Sequence, residues 1–303
     1  MEQKKKNLIL IVGPTAVGKT DLSIAIAKKI NAEIFSCDSR QFYKEISIGT
    51  AKPTTEELAK VRHHFVDNLS IKEDYTVSDF EQDALAQLDT YFKENDTAIM
   101  TGGSGLFVKA ITHGFDNIPD TPKEVRQKLI ERIENGEFST LVEELSKLDP
   151  EYSASADLSN KQRITRALEV CIDTNIPYSS WLKNTQKKRP FQIIKIGLER
   201  PREELYNRIN LRVELMLKAG LLNEVRSLEE YRHKNALQTV GYKEVFQHLD
   251  GEIDYENMVE LIKRNSRRYA KRQLTWFKNK DEFRWFEATK KQAIINFCEK
   301  EIK

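Results

Sequence analysis

The chain has 303 residues, of which 39% are hydrophobic and 32% charged, with only 12 glycines and 8 prolines. This composition excludes a collagen-like, low-complexity or wholly disordered protein, and the length predicts one large domain that carries an insertion. The 49 lysines and arginines nearly balance the 47 aspartates and glutamates, giving a formal net charge of +2. That total does not by itself favour an acidic partner such as nucleic acid.

The distribution of apolar residues and cysteines bears on the compartment. No apolar run approaches the roughly 20 residues that span a bilayer, and the run from Leu8 to Val12 is too short for a signal peptide. The cysteines, at 37, 171 and 298, are too few and too scattered for a disulfide framework or a zinc site. An odd number of cysteines without a signal peptide is typical of a reducing compartment. We therefore expect a soluble, cytoplasmic protein with no membrane contact.

Strands and helices alternate in the first third of the chain. Short buried strands are predicted at 7–12, 32–37 and 97–100, because these segments are short and largely apolar. Helices are predicted over 20–30 and from Thr76 onward, where apolar residues recur at helical spacing. This alternation predicts a parallel sheet with helices on both faces.

The pattern becomes purely helical after Pro119. Helices are predicted over 122–134, 138–148 and 160–174, and Pro122 suits a first helical turn because a missing N–H costs nothing there. The segment 191–198 is apolar and β-branched enough to return as a sheet strand, and 255–279 is the longest helical stretch. We therefore expect residues 120–188 to form an all-helical insertion domain between two core segments, 1–119 and 189–303.

A complete phosphate-binding motif lies between the first strand and the first helix. It reads Gly13-Pro14-Thr15-Ala16-Val17-Gly18-Lys19-Thr20 and matches the pattern G-x-x-x-x-G-K-[ST]. Glycines let such a loop wrap an anion with its backbone N–H groups, and the helix N-terminus adds a partial positive charge. Lys19 would reach the outer phosphate oxygens, and Thr20 would hold Mg²⁺. The fold class expected is α/β, a P-loop NTPase-like parallel sheet flanked by helices, with a helical C-terminal part.

The motif leaves the phosphorylated ligand undefined. The usual ligand is ATP or GTP, and phosphoryl transfer then calls for an acid at the end of another buried strand. The strand 97–100 instead runs into Thr101-Gly102-Gly103, and the acid that follows a strand is Asp38. Because parallel strands end at the ligand crevice, Asp38 should lie near the phosphate loop. A surface turn that begins with Asp-Ser explains Asp38 equally well at this point.

A concentrated run of basic residues lies near the C-terminus. Between Leu261 and Lys280 there is no acidic residue and there are eight basic ones: Lys263, Arg264, Arg267, Arg268, Lys271, Arg272, Lys278 and Lys280. One helical face would carry Arg264, Arg268, Lys271 and Thr275. Aromatic side chains interleave with this face at Tyr269, Trp276 and Phe277. The run favours an RNA-binding surface over a solvated helix face paired with acids elsewhere.

Seven segments together resemble one family, the tRNA dimethylallyltransferases (isopentenyltransferases). The segments occur in order and span nearly the whole chain: GPTAVGKT (13–20), DSRQFY (38–43), GTAKP (49–53), TGGSGLF (101–107), RITRALEV (163–170), VGY (240–242) and KRQLTWF (271–277). The combination of the second and third segments is far more specific than a phosphate loop alone.

The resemblance implies transfer of a dimethylallyl group from its diphosphate to N6 of the adenosine just 3′ of the anticodon. The tRNAs concerned read codons that begin with U. It implies Asp38 as general base, Thr101 and Arg212 as further catalytic residues, and residues 13–20 with Mg²⁺ on the diphosphate. It also implies a set of tRNA-binding residues: Asp38, Ser39, Arg40, Gln41, Ser104, Gln162, Arg163, Ile164, Thr165, Arg166, Arg268, Lys271 and Arg272. The expected partners are the anticodon stem-loop and dimethylallyl diphosphate, and the expected state is a monomer.

Several readings remain open from the sequence. A P-loop small-molecule kinase that uses ATP explains the loop but neither the basic run nor the absent second acid. An adenylate isopentenyltransferase, which modifies a free nucleotide, would not need the basic run. A nucleotide-switched RNA-binding protein would not need Asp38. The structural alternatives are capping hydroxyls for Thr101 and Ser104, and a helix-surface arginine for Arg212. Whether ATP also binds the loop is left open.

Overall fold

The structure is a computed structural model and describes residues 5–183 and 186–302. Its residues form two compact units. The first consists of Met1–Thr112 together with Lys188–Lys303, and the second is His113–Lys187. The second unit begins at His113, whereas the predicted start of the insertion is residue 120.

A six-stranded parallel sheet forms the centre of the first unit, with strand order β3-β2-β4-β1-β5-β6. The strands are β1 (Asn7–Val12), β2 (Ile34–Ser36), β3 (His63–His64), β4 (Thr97–Gly102), β5 (Gln192–Glu199) and β6 (Arg284–Glu287). The predicted parallel sheet is therefore confirmed. The two outermost strands, β3 and β6, were not predicted, because they are short and only partly buried and so lack a continuous apolar run.

Helices surround the sheet and make up the second unit. In the first unit they are α1 (Lys19–Ile30), α2 (Thr55–Leu58), α3 (Val77–Tyr91), α4 (Gly105–Thr112), α9 (Arg202–Lys218), α10 (Leu221–Arg226), α11 (Tyr242–Leu249), α12 (Tyr255–Lys280) and α13 (Lys291–Glu301). In the second unit they are α5 (Lys123–Glu134), α6 (Phe138–Leu148), α7 (Pro150–Ser155) and α8 (Lys161–Thr174). Short 3₁₀ turns occur at Tyr178–Trp181, Glu229–Tyr231 and Asn235–Leu237.

Alternation along the strands builds two separate apolar layers. Ile9 and Ile11 of β1 belong to a buried cluster that includes apolar residues of α1 and α13. Since successive strand residues point to opposite faces, Phe35 of β2 faces the other way, and its ring packs against Phe65. Phe65 in turn contacts Phe80 of α3 at 5.4 Å between ring centroids. The two layers fix the sheet, and with it the carboxyl ends of the strands.

The second unit has its own apolar core. Buried residues from α5, α6 and α8 pack together: Leu129, Leu141, Leu145, Ile164, Ala167, Leu168 and Cys171. Helix α8 begins where the Asn160 side chain accepts a hydrogen bond from the Arg163 N–H, which satisfies one of the donors left open at a helix start. Pro122 occupies the residue before α5 rather than its first turn.

Two residues that the resemblance assigned to tRNA lie inside this core. Ile164 is fully buried, and Thr165 is 7% exposed with its hydroxyl donating to the Lys161 carbonyl at 2.8 Å. Neither side chain can contact an RNA while α8 stays packed. Helical periodicity turns both side chains toward the core of the second unit, and their assignment to tRNA binding stays a prediction.

We expect Ile164→Ala to lower the free energy of unfolding by about 2–5 kcal/mol, because it removes buried methyl groups and leaves a cavity. Urea unfolding followed by circular dichroism measures this change. Ile172→Ala on the same helix is the control. Its side chain is 38% exposed, so its effect should stay within about 0.5 kcal/mol. Equal destabilisation by both variants would contradict the buried role of Ile164.

Within the described ranges, every helix is either too short or too polar to cross a bilayer. The longest, α12, has 26 residues and carries the basic run.

Candidate active site

The phosphate-binding motif forms a turn between β1 and α1, at the carboxyl edge of the sheet. Gly18 precedes α1 with a φ of 107°, a backbone conformation that side chains rarely adopt. Gly13 is required for a steric reason, since a Cβ there would lie 2.8 Å from the Leu198 carbonyl oxygen. Both glycines therefore let the loop turn tightly at the end of β1.

Arginines and a glutamine from distant segments hold the loop from outside. Arg200 donates to the Val17 carbonyl at 2.7 Å, and Arg208 donates to the Ala16 carbonyl at 2.8 Å. The Gln273 side chain accepts from the Thr15 N–H at 2.9 Å. The Lys19 ammonium donates to the Gly13 carbonyl at 2.9 Å and to that of Pro14 at 3.0 Å. The loop is thus pre-shaped by contacts made largely through its carbonyl groups.

Asp38 lies in the same cavity as the phosphate loop. It follows β2, and β2 pairs with β4, which in turn pairs with β1, so its position results from parallel strands ending at one edge. Its Oδ1 accepts the Arg40 N–H at 3.0 Å, and its Oδ2 accepts no hydrogen bond among the described residues. The turn fixes the carboxylate while leaving one oxygen available to a ligand. The prediction that Asp38 lies near the phosphate loop is met.

A cavity of about 340 Å³ holds the charged groups of this edge. Its lining combines the phosphate loop with residues of several other segments: Thr15, Ala16, Val17, Gly18, Lys19, Thr20, Asp21, Asp38, Gln41, Thr50, Ala51, Glu57, Arg208, Leu211, Arg212, Leu215, Tyr269 and Gln273. Carboxylates and the Thr20 hydroxyl are oxygen donors of the kind that Mg²⁺ prefers. Among the described residues, however, no three His, Cys, Asp or Glu side chains cluster as a metal site.

Two cationic groups of this cavity, those of Lys19 and Arg212, are desolvated. Burial lowers the pKa of the Lys19 ammonium to about 8, a shift that the Asp38 carboxylate opposes and the Arg212 guanidinium adds to. Burial also lowers the pKa of Arg212, again opposed by Asp38. Arg212 therefore points inward from α9 and is not the helix-surface arginine of the alternative reading. Two desolvated cations beside one carboxylate form a strong anion site.

The hydroxyl groups of Thr101 and Ser104, both predicted to be functional, have different surroundings. The Thr101 Oγ1 is buried at the end of β4, without a hydrogen-bond partner among the described residues. The Ser104 Oγ accepts the Ser39 N–H and donates to the Ser39 Oγ, both at 3.1 Å. Ser104 therefore stabilises the turn that follows Asp38, and in the part of the chain that the structure describes its side chain shows no capping hydrogen bond to α4.

Two further cavities adjoin the first. One of about 100 Å³ is lined by Asp38, Arg40, Arg212 and Tyr269 among others. The other, of about 510 Å³, shares Arg40 and Tyr269 with it and is rich in aromatic side chains: Tyr43, Tyr75, Phe107, Tyr269 and Trp276. The shared lining residues place the three cavities next to one another, from the phosphate loop, past Asp38, to an aromatic mouth.

The basic run lies on α12, with most of its charge toward solvent. Arg264, Arg268, Lys271 and Thr275 are all exposed. The Arg272 guanidinium stacks over the Tyr269 ring at 5.7 Å from its centroid. Two of the eight basic residues are ion-paired with acids: Lys263 with Glu214 at 2.9 Å, and Lys278 with Glu199 at 2.7 Å. Most of the run is therefore a free cationic face beside the aromatic mouth.

In the second unit, α8 presents the other predicted tRNA-binding residues. Gln162 and Arg163 are exposed. The Arg166 guanidinium donates to the Glu169 carboxylate at 2.7 Å and to the Pro119 carbonyl at 3.0 Å. Arg126 also binds Glu169, through two hydrogen bonds of 2.7 and 3.0 Å. Two arginines share one buried carboxylate, so this part of α8 and α5 carries a net positive charge.

Two residues of the site, Gln273 and Thr50, were not assigned a role from the sequence, and Tyr269 was noted only as an aromatic residue of the basic run. Gln273, only 7% exposed, joins the phosphate loop to the Gly103 carbonyl, to which it donates at 2.9 Å. Tyr269 lines all three cavities, and Thr50 lines two of them. Gln273 and Tyr269 lie inside the basic run, where charge draws attention to their neighbours. Thr50 belongs to the segment at 49–53 that contributes to the family resemblance. The sequence of that segment does not indicate which residues Thr50 contacts.

Comparison with known proteins settles the family. The sequence profile of the IPP transferase family matches residues 41–280. The chain belongs to the IPP transferase family. Within it, a tRNA dimethylallyltransferase of Christiangramia forsetii is 48% identical, with 97% of this chain and 98% of the relative covered. One from Cytophaga hutchinsonii is also 48% identical, with 98% of each chain covered.

Solved structures of IPP transferases share the fold. A full-length tRNA isopentenylpyrophosphate transferase from Bacillus halodurans superimposes with a TM-score of 0.72 at 38% identity, over 98% of this chain and 97% of the other. A eukaryotic dimethylallyltransferase studied acting on tRNA has a TM-score of 0.78 at 27% identity, over 98% of this chain and 78% of the other.

Proposed function

We propose that this IPP transferase is a tRNA dimethylallyltransferase. It transfers a dimethylallyl group from dimethylallyl diphosphate to N6 of the adenosine just 3′ of the anticodon. Family membership supports a prenyl transferase acting on tRNA. The observation that carries the mechanism is the set of adjoining cavities, with shared lining residues, that runs from the phosphate loop past Asp38 to the aromatic mouth. One substrate then enters from each end, with Asp38 between them.

Residues 13–20 and Arg212 act on the leaving group. During transfer, N6 attacks C1 of the dimethylallyl group, the C1–O bond breaks, and its electron pair leaves with the diphosphate. Lys19 and Arg212 stabilise the negative charge that builds on those oxygens. Thr20 would hold Mg²⁺, and the ion would supply further stabilisation of the negative charge on the leaving group. The buried hydroxyl of Thr101 is suited to donate a hydrogen bond to the diphosphate or to the incoming base.

Asp38 takes the proton released at N6. The N6 lone pair is delocalised into the adenine ring, so the amine is a poor nucleophile and its proton must be removed as the new C–N bond forms. A carboxylate with a free oxygen suits this role, and the free Oδ2 of Asp38 provides it. Asp38 is thus the general base, while Ser39, Arg40, Gln41 and Ser104 shape the channel wall at the RNA side.

The RNA is bound by polar and cationic side chains of α12 and α8. Arg268, Lys271 and Arg272 on α12, with Gln162, Arg163 and Arg166 on α8, contact the anticodon stem-loop. Backbone phosphates supply the affinity. The target adenine must leave its stack to reach Asp38, and the aromatic mouth offers planes on which bases can stack. We expect the enzyme to act as a monomer in the cytoplasm, where its tRNA substrates are found.

The function is tested by incubating the protein with unmodified tRNA, dimethylallyl diphosphate and Mg²⁺, followed by mass analysis of the nucleosides. We expect a five-carbon addition to adenosine, which is lost when EDTA removes the Mg²⁺. Addition to free AMP but not to tRNA would favour an adenylate isopentenyltransferase. Hydrolysis of ATP without any addition would favour a kinase.

We expect the triple variant R268Q/K271Q/R272Q to bind tRNA about 10- to 100-fold more weakly. Log affinity falls with log salt concentration, and each lost phosphate contact should reduce the magnitude of that negative slope by about 0.7–0.9. Filter binding between low and moderate salt measures both quantities. The double variant K263Q/K278Q, on the same helix, is the control, because both lysines are engaged with acids. A similar salt slope for the triple variant and wild type would rule out this face as the phosphate contact.

A further inference from the structure

The loop at residues 47–51 ends in Thr50 and Ala51, which line the phosphate cavity. The side chain of Glu224 binds the first three residues of this loop. The Glu224 Oε2 accepts the N–H groups of Ser47 and Ile48, both at 2.8 Å. Its Oε1 accepts the Gly49 N–H at 3.0 Å. Three consecutive backbone donors converge on one carboxylate, so the loop conformation depends on that side chain.

Tyr242 completes this contact. Its hydroxyl donates to the Glu224 Oε1 at 2.6 Å, and its ring is fully buried. Burial and the neighbouring Glu224 carboxylate raise the pKa of Tyr242, so the phenol stays protonated and remains a donor. Gly49 packs directly on the ring, where a Cβ would approach Tyr242 to 2.4 Å. The segments at 49–53 and 240–242 thus both contact Glu224. Its Oε1 lies 3.0 Å from the Gly49 nitrogen and 2.6 Å from the Tyr242 hydroxyl oxygen.

The loop continues into Thr50, which contacts the anion site. The Thr50 hydroxyl donates to the Ile46 carbonyl at 2.7 Å, closing the turn. Its carbonyl accepts a hydrogen bond from the Arg212 guanidinium at 3.4 Å. Among the described residues this is the one hydrogen bond of that guanidinium. The Thr50 carbonyl is therefore the group of the protein that orients the Arg212 side chain.

We propose that Glu224 is a positioning residue for the diphosphate site, an inference that rests on the function proposed above. Its carboxylate fixes the loop from Ser47 to Gly49, the loop fixes the Thr50 carbonyl, and that carbonyl orients Arg212 toward the diphosphate. Glu224 itself touches neither substrate. An acid is needed because four donors converge on its two oxygens, and a neutral amide has only one acceptor oxygen.

The test compares Glu224→Gln and Tyr242→Phe with the control Glu230→Gln, whose side chain is exposed. Calorimetry gives the Kd of Mg²⁺-pyrophosphate, and steady-state kinetics give the KM of each substrate. We expect Glu224→Gln to raise the Kd of pyrophosphate and the KM of dimethylallyl diphosphate about tenfold. The Kd of tRNA should stay within about twofold. Tyr242→Phe removes one donor and should raise the same Kd about threefold.

A double-mutant cycle separates positioning from a general loss of structure. Because Glu224 acts through Arg212, adding Glu224→Gln to Arg212→Gln should not weaken pyrophosphate binding further. Additive losses would overturn the proposal, as would an equal rise in the KM of both substrates or an unchanged pyrophosphate Kd in Glu224→Gln. If Glu224→Gln does not fold, Tyr242→Phe decides by the same criterion. Failure of the proposed function would differ: wild type would add no five-carbon group, while pyrophosphate binding would still depend on Glu224.

Discussion

Asp38→Asn should abolish most of the transfer reaction while leaving both substrates bound. We expect kcat to fall about 10³-fold, since general base catalysis typically contributes about 10²–10⁴-fold. The Kd of tRNA should change by less than about twofold. Pyrophosphate should bind as well as before or more tightly, because the substitution removes a negative charge near Lys19 and Arg212. Single-turnover kinetics and calorimetry measure these quantities.

The matched control is Asp89→Asn, an exposed aspartate of α3 whose ion pair with Lys93 spans 3.9 Å. It should leave every parameter near the wild-type value. Loss of pyrophosphate binding in Asp38→Asn would contradict the base assignment and would instead point to metal coordination by Asp38. A residual rate near wild type would exclude Asp38 from the chemistry altogether.

Lys19→Met should lower kcat/KM for dimethylallyl diphosphate about 10²–10³-fold. The lysine places a desolvated positive charge where the leaving group gathers negative charge, and loss of one such donor typically has this effect. Methionine keeps the unbranched chain and so preserves packing. The tRNA Kd should not change, because the exposed cations on α12 and α8 supply that affinity.

Lys28→Met serves as the comparison for this variant, since Lys28 is an exposed residue of the same helix. We expect its kinetics to match those of wild type. A loss of less than about fivefold in Lys19→Met would mean that Arg212 and the loop N–H groups carry the charge without Lys19. A parallel loss of tRNA affinity would mean that the variant disturbs more than the anion site.

Local sequence patterns were sufficient to locate the phosphate loop, Asp38 and the basic face of α12. The phosphate loop is contiguous, and its strand and helix flanks are visible as a buried apolar run and a helical repeat. Asp38 could be placed near it because parallel strands end at one edge, a rule that needs no side-chain detail. The basic face of α12 was visible for a similar reason, since residues three and four apart share one side of a helix.

Long-range contacts remained invisible. No local sequence pattern predicts that Gln273 binds Thr15, 258 residues away. The same is true of the contact between Glu224 and the loop at Ser47, 177 residues away. The direction of Arg212 was equally open, because an arginine on an amphipathic helix points either way until the helix is packed. Ile164 shows the same limit, because the motif match gave no indication that the packing of α8 against α5 and α6 buries this side chain.

The sequence by itself determined the parallel sheet, the phosphate loop, the acid beside it and the basic helix, because each is specified by residues close together in the chain. Only the tertiary structure decided which way Arg212 faces, which side chains hold the phosphate loop, and which residues of α8 reach solvent. These properties depend on contacts between segments that are far apart in the chain. Such contacts exist only after the apolar layers have packed and fixed the distances between the strand ends.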